Sequence, residues 1–208
     1  MHRLGILLSG RGSNFLAIHH AIREHRIPNA EIALVVSNIP EAPGLHEARK
    51  LNLPTLAIPS AGLKRAEHDA RVIAALEAAR IDLVCLAGYM RVLTAEFVRA
   101  FPNRILNVHP SLLPSFPGLD AQHQAFQYGA KVAGCTVHFV DEAVDHGVII
   151  LQKSVPVHED DTPQALSARI LQQEHLAYPE AIARVLSGRY TIQGRRFLHH
   201  PDRAPRTL

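Results

Sequence analysis

An amide and an imidazole stand on alternate residues in "ILNVHPSLLP", where Asn107 and His109 close an apolar run and Pro110 follows at once. The run reads as a buried strand that the proline stops. Alternation puts both side chains on one face, at the strand's end. An ionisable ring beside an amide donor is equipment for hydrogen-bonding and proton-transfer chemistry. Further on, "VDEAVDHG" places Asp141, Glu142 and Asp145 between a strand and a turn, within reach of that histidine. A carboxylate beside an imidazole favours its protonated form and fixes its orientation. Taken alone, the same run also reads as a solvated acidic turn.

Three more segments could carry chemistry. "SGRGSN", Ser9 to Asn14, leaves a strand and enters a helix. It would expose backbone N–H groups at the positive end of the helix, which suits a phosphate. The spacing is Gly10-x-Gly12 with no third glycine, so a single phosphate fits better than a dinucleotide, and a tight turn capped by Ser or Asn is the other reading. "AGYMRVL" follows a strand with Tyr89, Met90, Arg91 and Leu93. It can offer a flat heteroaromatic ligand an apolar wall and one cation, or simply pack. In "QQEH", Glu174 and His175 interrupt a long helix, where such pairs are mostly solvent-facing.

The elements that must position these residues alternate. "RLGILL" reads as a strand, "FLAIHHAIREH" as a helix, "AEIALVVSN" as a strand and "GLHEARKLN" as a helix ended near Pro54. "PTLAI" is a strand, "KRAEHDARVIAALEAAR" a long amphipathic helix and "IDLVCLAG" another strand. This order argues for an α/β fold, a mostly parallel twisted sheet with helices on both faces, whose ligands bind at the carboxyl ends of the strands. After a proline- and glycine-bearing loop, "AGCTVHFVDE" and "HGVIILQKSVPV" can pair as an antiparallel extension. A helix then starts at a cap by Asp161 or Thr162 with Pro163 in its first turn, and Pro179 should kink or split it. We expect a single domain over residues 1–188, then short strands and a loosely packed basic tail over 189–208.

A chain of 208 residues, 47% hydrophobic and 20% charged, can bury a full core, and a formal net charge of +3 without a basic block suits small anionic substrates at least as well as nucleic acid. A membrane is not expected as a partner. Cys85 and Cys135 sit apart in apolar segments, as packing thiols do. The fourteen histidines are dispersed, so no metal is expected. No run approaches the roughly twenty apolar residues of a membrane span, and a cytoplasmic location is expected.

Taken together and in order, "GRGSN", "AGYMRVL", "NVHPSLLPSFPG", "VDEAVDHG", "DT" and "QEHLAYP" resemble the phosphoribosylglycinamide formyltransferase family, folate-dependent enzymes of purine biosynthesis. The resemblance implies a Rossmann-like three-layer fold and a one-carbon transferase. Its substrates would be glycinamide ribonucleotide and, as co-substrate, 10-formyltetrahydrofolate, with no metal, on a monomer or homodimer. It implies Asn107, His109 and Asp145 as the catalytic set. Gly12, Ser13, Asn14, Pro110, Gln172, Gln173 and Glu174 would hold the ribonucleotide. Arg65, Met90, Arg91, Val92, Leu93 and Asn107, with the loop Asp141, Glu142, Ala143, Val144 and Asp145, would border the folate. In this chemistry a neutral amine attacks the formyl carbon, and donors from Asn107 and His109 meet the oxyanion. Two departures stand out: Gly147-Val148 where the family has Gly-Pro, and the basic tail.

Two neighbouring families and one silent module compete. Formyltetrahydrofolate deformylases share the histidine and aspartate but resemble a longer chain with an N-terminal regulatory domain. Methionyl-tRNA formyltransferases share "SLLP" and add a C-terminal RNA-binding domain. A silent nucleotide-binding module of the same fold would have no reason to keep Asn107, His109 and Asp145 together.

Overall fold

The computed structural model describes residues 1–202 and Ala204. Its elements run β1 His2–Leu8, α1 Ser13–Arg23, β2 Ala30–Ser37, α2 Pro43–Lys50, β3 Thr55–Ala57, α3 Arg65–Ala78, β4 Leu83–Leu86, α4 Ala95–Ala100 and β5 Ile105–His109. There follow α5 Ala121–Tyr128, β6 Val132–Phe139, β7 Ile149–Pro156, α6 Pro163–Leu186, β8 Tyr190–Gln193 and β9 Arg196–His199. The chain divides into two compact units, Met1–Asn107 and Val108–Leu208.

In the first unit the strands lie in the order β3-β2-β1-β4-β5, and their pairings are parallel. Successive residues of a strand point to opposite faces, yet Leu4, Ile6, Leu7 and Leu8 of β1 are all fully buried. Helices therefore cover both faces of this sheet, as a parallel sheet requires. They do so with Phe15 and Ile18 of α1, Leu45 of α2, and Val72 and Leu76 of α3. Connections from β1 run to β2 and β3 on one side and to β4 and β5 on the other, so the order reverses between β1 and β4. The ends of these two strands flank the crevice where such sheets take ligands.

In the second unit β6 and β7 pair antiparallel as expected, with the register slipping between Val137 and His138. A bulge of this kind twists a strand and re-aims the side chains beside it. Helix α6 starts at Thr162, whose hydroxyl accepts from Ala165 N–H, with Pro163 in the first turn. It is one helix of 24 residues, not two: Pro179 lies inside it. Proline deprives one carbonyl of its donor, but Ala177, Tyr178, Ala181, Ile182 and Val185 around it are fully buried, and that packing carries the helix through. The short strands expected beyond residue 188 form a hairpin of β8 and β9, with Tyr190 and Phe197 stacked at 4.7 Å between ring centroids and Phe139 against both. Residues 203 and 205–208 of the basic tail lie outside the described residues. Among the described residues, no helix is long and apolar enough to cross a membrane.

Candidate active site

The two loops at the switch point are joined to each other. Ser9, the first residue after β1, donates its N–H to the Gly88 carbonyl at 3.0 Å and accepts the Met90 N–H on its hydroxyl at 2.8 Å. Gly12 stands at the start of α1 with φ +77, a left-handed conformation, and a Cβ there would come within 2.9 Å of Gly44 Cα. Glycine is therefore required on both counts. The Ser or Asn cap that the sequence left open is not formed: no side chain caps α1, and its first turn carries no acid. An uncapped N-terminus without a competing carboxylate fits an anion. Ser13 is half-buried and Asn14 buried.

Across the switch point, Met90 and Val92 are 69% and 49% exposed, apolar surface that the core does not use. Arg91 and Leu93 are half-buried between them. Arg65 is exposed at the start of α3.

In the second unit His109 meets a carboxylate. Its Nδ1 lies 3.3 Å from Asp145 Oδ2, and its Nε2–H donates to the Phe116 carbonyl at 2.9 Å. Both ring nitrogens thus face acceptors, the arrangement in which an imidazolium has a partner for each proton. Of the three carboxylates read in this turn, Asp145 is the one that reaches the histidine. Asp141 instead accepts from Ala143 N–H at 3.0 Å and pairs with His146 Nδ1 at 2.8 Å. Backbone and side chain both hold Asp145 in position, since its φ is +50 and Oδ2 also accepts the Gly118 N–H at 2.8 Å. A non-glycine residue in that region stores on the order of 1–3 kcal/mol of strain, a device common at functional sites. The turn behind it is tight. Phe139 N–H bonds the Val148 carbonyl at 2.9 Å, and a Cβ on Gly147 would stand 1.8 Å from the Phe139 carbonyl oxygen.

The remaining expected residues are dispersed over their elements. Asn107 is half-buried two residues before His109 on β5, and Pro110 is half-buried just past that strand. On α6, Gln172 is exposed and Gln173 half-buried, while Glu174 is buried and not solvent-facing. Its charge, after burial, helps push the Cys135 thiol up to about 12, which leaves that cysteine an inert packing group. Glu142, Ala143 and Val144 are exposed on the loop leading to Asp145.

Residue-type reasoning missed His138. It is buried on β6, donates from Nδ1 to its neighbour's carbonyl, Phe139 O, at 2.7 Å, and sets Nε2 3.8 Å from Asp145 Oδ1. Burial pushes its pKa below the usual value, with Asp145 opposing. Thr136 was missed too. Its hydroxyl accepts from Leu113 N–H and Gln152 Nε2 and donates to the Ser111 carbonyl, which ties down the loop after His109. "CTVHF" carried the signal, since Thr136 and His138 alternate as Asn107 and His109 do.

The formyl transferase family model matches residues 2–182. Phosphoribosylglycinamide formyltransferase of Bacillus subtilis is 40% identical over 89% of this chain and 95% of its own length. A trifunctional purine biosynthetic protein, adenosine-3, of Drosophila melanogaster is 47% identical over 89% of this chain, which spans only 14% of that longer protein. The crystal structure of glycinamide ribonucleotide transformylase 1 from Symbiobacterium toebii superposes with a TM-score of 0.93 at 51% identity, over 96% of this chain and 94% of the other. The chain therefore belongs to the formyl transferase family and stands within it among the phosphoribosylglycinamide formyltransferases.

Proposed function

We propose that the protein transfers the formyl group of 10-formyltetrahydrofolate to the primary amine of glycinamide ribonucleotide, in de novo purine biosynthesis. The observation that carries this reading is the buried pairing of His109 Nδ1 with Asp145 Oδ2 at 3.3 Å, at the end of the strand that also bears Asn107. As the amine attacks, charge builds on the formyl oxygen. Asn107 and His109 donate to it, an interaction strongest in the transition state, and Asp145 stabilises the charged ring and accepts or relays the proton the amine gives up. The His109 Nε2–H now held by the Phe116 carbonyl is the donor that turns to the formyl oxygen. A preorganised donor of this kind contributes on the order of 3 kcal/mol to lowering the barrier.

The ribonucleotide phosphate sits against the uncapped start of α1 at Gly12, Ser13 and Asn14, with Pro110, Gln172, Gln173 and Glu174 serving the rest of that substrate. The folate lies along Arg65 and Met90 to Leu93 and is bordered by Asn107 and the loop Asp141 to Asp145. The exposed apolar side chains of Met90 and Val92 fit a flat heteroaromatic ring, and Arg65 and Arg91 fit its carboxylates. The reaction calls for no metal and no nucleic acid, and a cytoplasmic monomer or homodimer, with one transferase domain over residues 1–188, belongs to the same reading. The test is incubation with 10-formyltetrahydrofolate with and without glycinamide ribonucleotide, following tetrahydrofolate. Release that depends on the ribonucleotide supports the transferase, whereas equal release without it makes the protein a deformylase.

A further inference from the structure

The loop Met90–Leu93 is fastened at both ends by side chains that the proposed chemistry leaves unused. At its entry stands Ser9: the hydroxyl that accepts Met90 N–H also donates to Asn38 Oδ1 at 2.6 Å, and Asn38 Nδ2 reaches Ser60 Oγ at 3.3 Å. At its exit stands Asp69 of α3, whose Oδ2 accepts the Thr94 N–H at 2.7 Å.

Asp69 is an expensive way to hold one amide. It is 1% exposed, and taking a carboxylate out of water is costly unless its partners compensate. Compensation here is incomplete. Oδ1 has no hydrogen-bond partner among the described residues, with His68 Nδ1 standing 3.6 Å away. His68 spends its other nitrogen on the Ile58 carbonyl at 2.9 Å. The buried Tyr89 hydroxyl is likewise without a partner, and burial together with the charge of Asp69 drives its pKa well above the usual value. Packing alone would be served better by an apolar residue at position 69, so the charge is explained by what it fixes. A charged acceptor makes a shorter and stronger bond to an N–H than a neutral one. What lies between the two anchors is a pair of exposed apolar side chains, Met90 and Val92, on a segment that forms neither helix nor strand. Left unfastened, such a segment would have to be ordered by its ligand, which lowers affinity.

We propose that Asp69 and Ser9 are positioning residues that preorganise the Met90–Leu93 loop as a ready-made wall for the folate. The inference rests on the formyl-transfer reading above. Neither residue touches the reacting atoms. Both act on the co-substrate through the loop, from the side of the sheet where the strand order reverses.

The experiment measures kcat and the KM of each substrate for the full chain and for Asp69→Ala, Asp69→Asn and Ser9→Ala, with thermal unfolding as a check on folding. Asp69→Ala should raise the KM for 10-formyltetrahydrofolate about tenfold and leave kcat and the ribonucleotide KM within about twofold, because preorganisation is spent on one ligand. Asp69→Asn keeps an acceptor for Thr94 N–H and should recover part of that loss, since a neutral acceptor bonds more weakly than a charged one. Ser9→Ala should also raise the folate KM selectively and, since it removes no buried charge, decides the matter if Asp69→Ala does not fold. An unchanged folate KM in folded variants, equal rises for both substrates, or an Asp69→Asn as impaired as Asp69→Ala would overturn the proposal. Wild-type protein that transfers no formyl group would instead overturn the functional reading, and this inference with it.

Discussion

His109 gives its Nε2 proton to the main-chain carbonyl of Phe116 at 2.9 Å, a residue with φ +52 on the loop that follows the strand. On the formyl-transfer reading proposed above, the loop thus occupies the donor that the formyl oxygen would need. Asp145 steadies both sides of this exchange, through His109 Nδ1 and through Gly118 N–H.

Because one carboxylate serves ring and loop together, His109 and Asp145 should behave as a unit. His109→Asn and Asp145→Asn should each lower kcat by about a hundredfold or more. The double variant should be little worse than the worse single one, since residues acting as a unit are not additive. Single-turnover rates for the four proteins check this; losses that multiply would mean that the two residues act separately.

Gly12→Ala places a Cβ at a φ of +77 and within 2.9 Å of Gly44 Cα, so the loop before α1 must move. The expected result is a rise in the KM for glycinamide ribonucleotide with a smaller change for the folate, alongside a stability loss of about 1–3 kcal/mol. Steady-state kinetics with each substrate varied in turn separate the two; equal rises would count against phosphate binding there.

Wherever hydrophobic period and punctuation agreed, the fold could be read from residue order. The fully apolar core of β1, the alternation in "LNVH" and the Thr162-Pro163 start of α6 are such places. Short elements carried too little periodicity: α4 has six residues and was assigned no element, and α5 has eight and lay in a stretch read as a loop. The candidate site was half legible for a different reason. Side-chain types announce themselves, whereas the Phe116 carbonyl that holds His109 is main chain and has no residue signature. The choice of Asp145 over Asp141 and Glu142 is made by its left-handed backbone and by Gly147 packed under the Phe139 carbonyl, relations that exist only once β6 and β7 are paired.

Thr136→Val keeps shape and removes a hydroxyl with three partners, Ser111 O, Leu113 N–H and Gln152 Nε2, at a fully buried position. Leaving buried groups without a bond should cost about 1–3 kcal/mol, while Thr136→Ser, which keeps the hydroxyl, should cost less. Urea unfolding reads this as a lower midpoint at unchanged slope. Activity should fall as well, since the same hydroxyl fixes the segment that follows His109.

His138 sets the last expectation. Its folded pKa is lowered from 6.5, mainly by burial, so the native protein resists a proton that the unfolded chain accepts readily. Below about 6.5 the unfolded state then binds more protons, and stability falls as pH drops from there toward the lowered folded value. His19, His175 and His199 are shifted in the same direction and add to this slope. His138→Asn keeps a donor for the Phe139 carbonyl and removes one titrating group. Its unfolding free energy should therefore decline less than that of the wild type between about pH 8 and about pH 5, with the other three histidines contributing to the slope that remains. Denaturant unfolding at a series of pH values makes the comparison, and identical slopes in the two proteins would show that His138 does not enter the native state as a neutral ring.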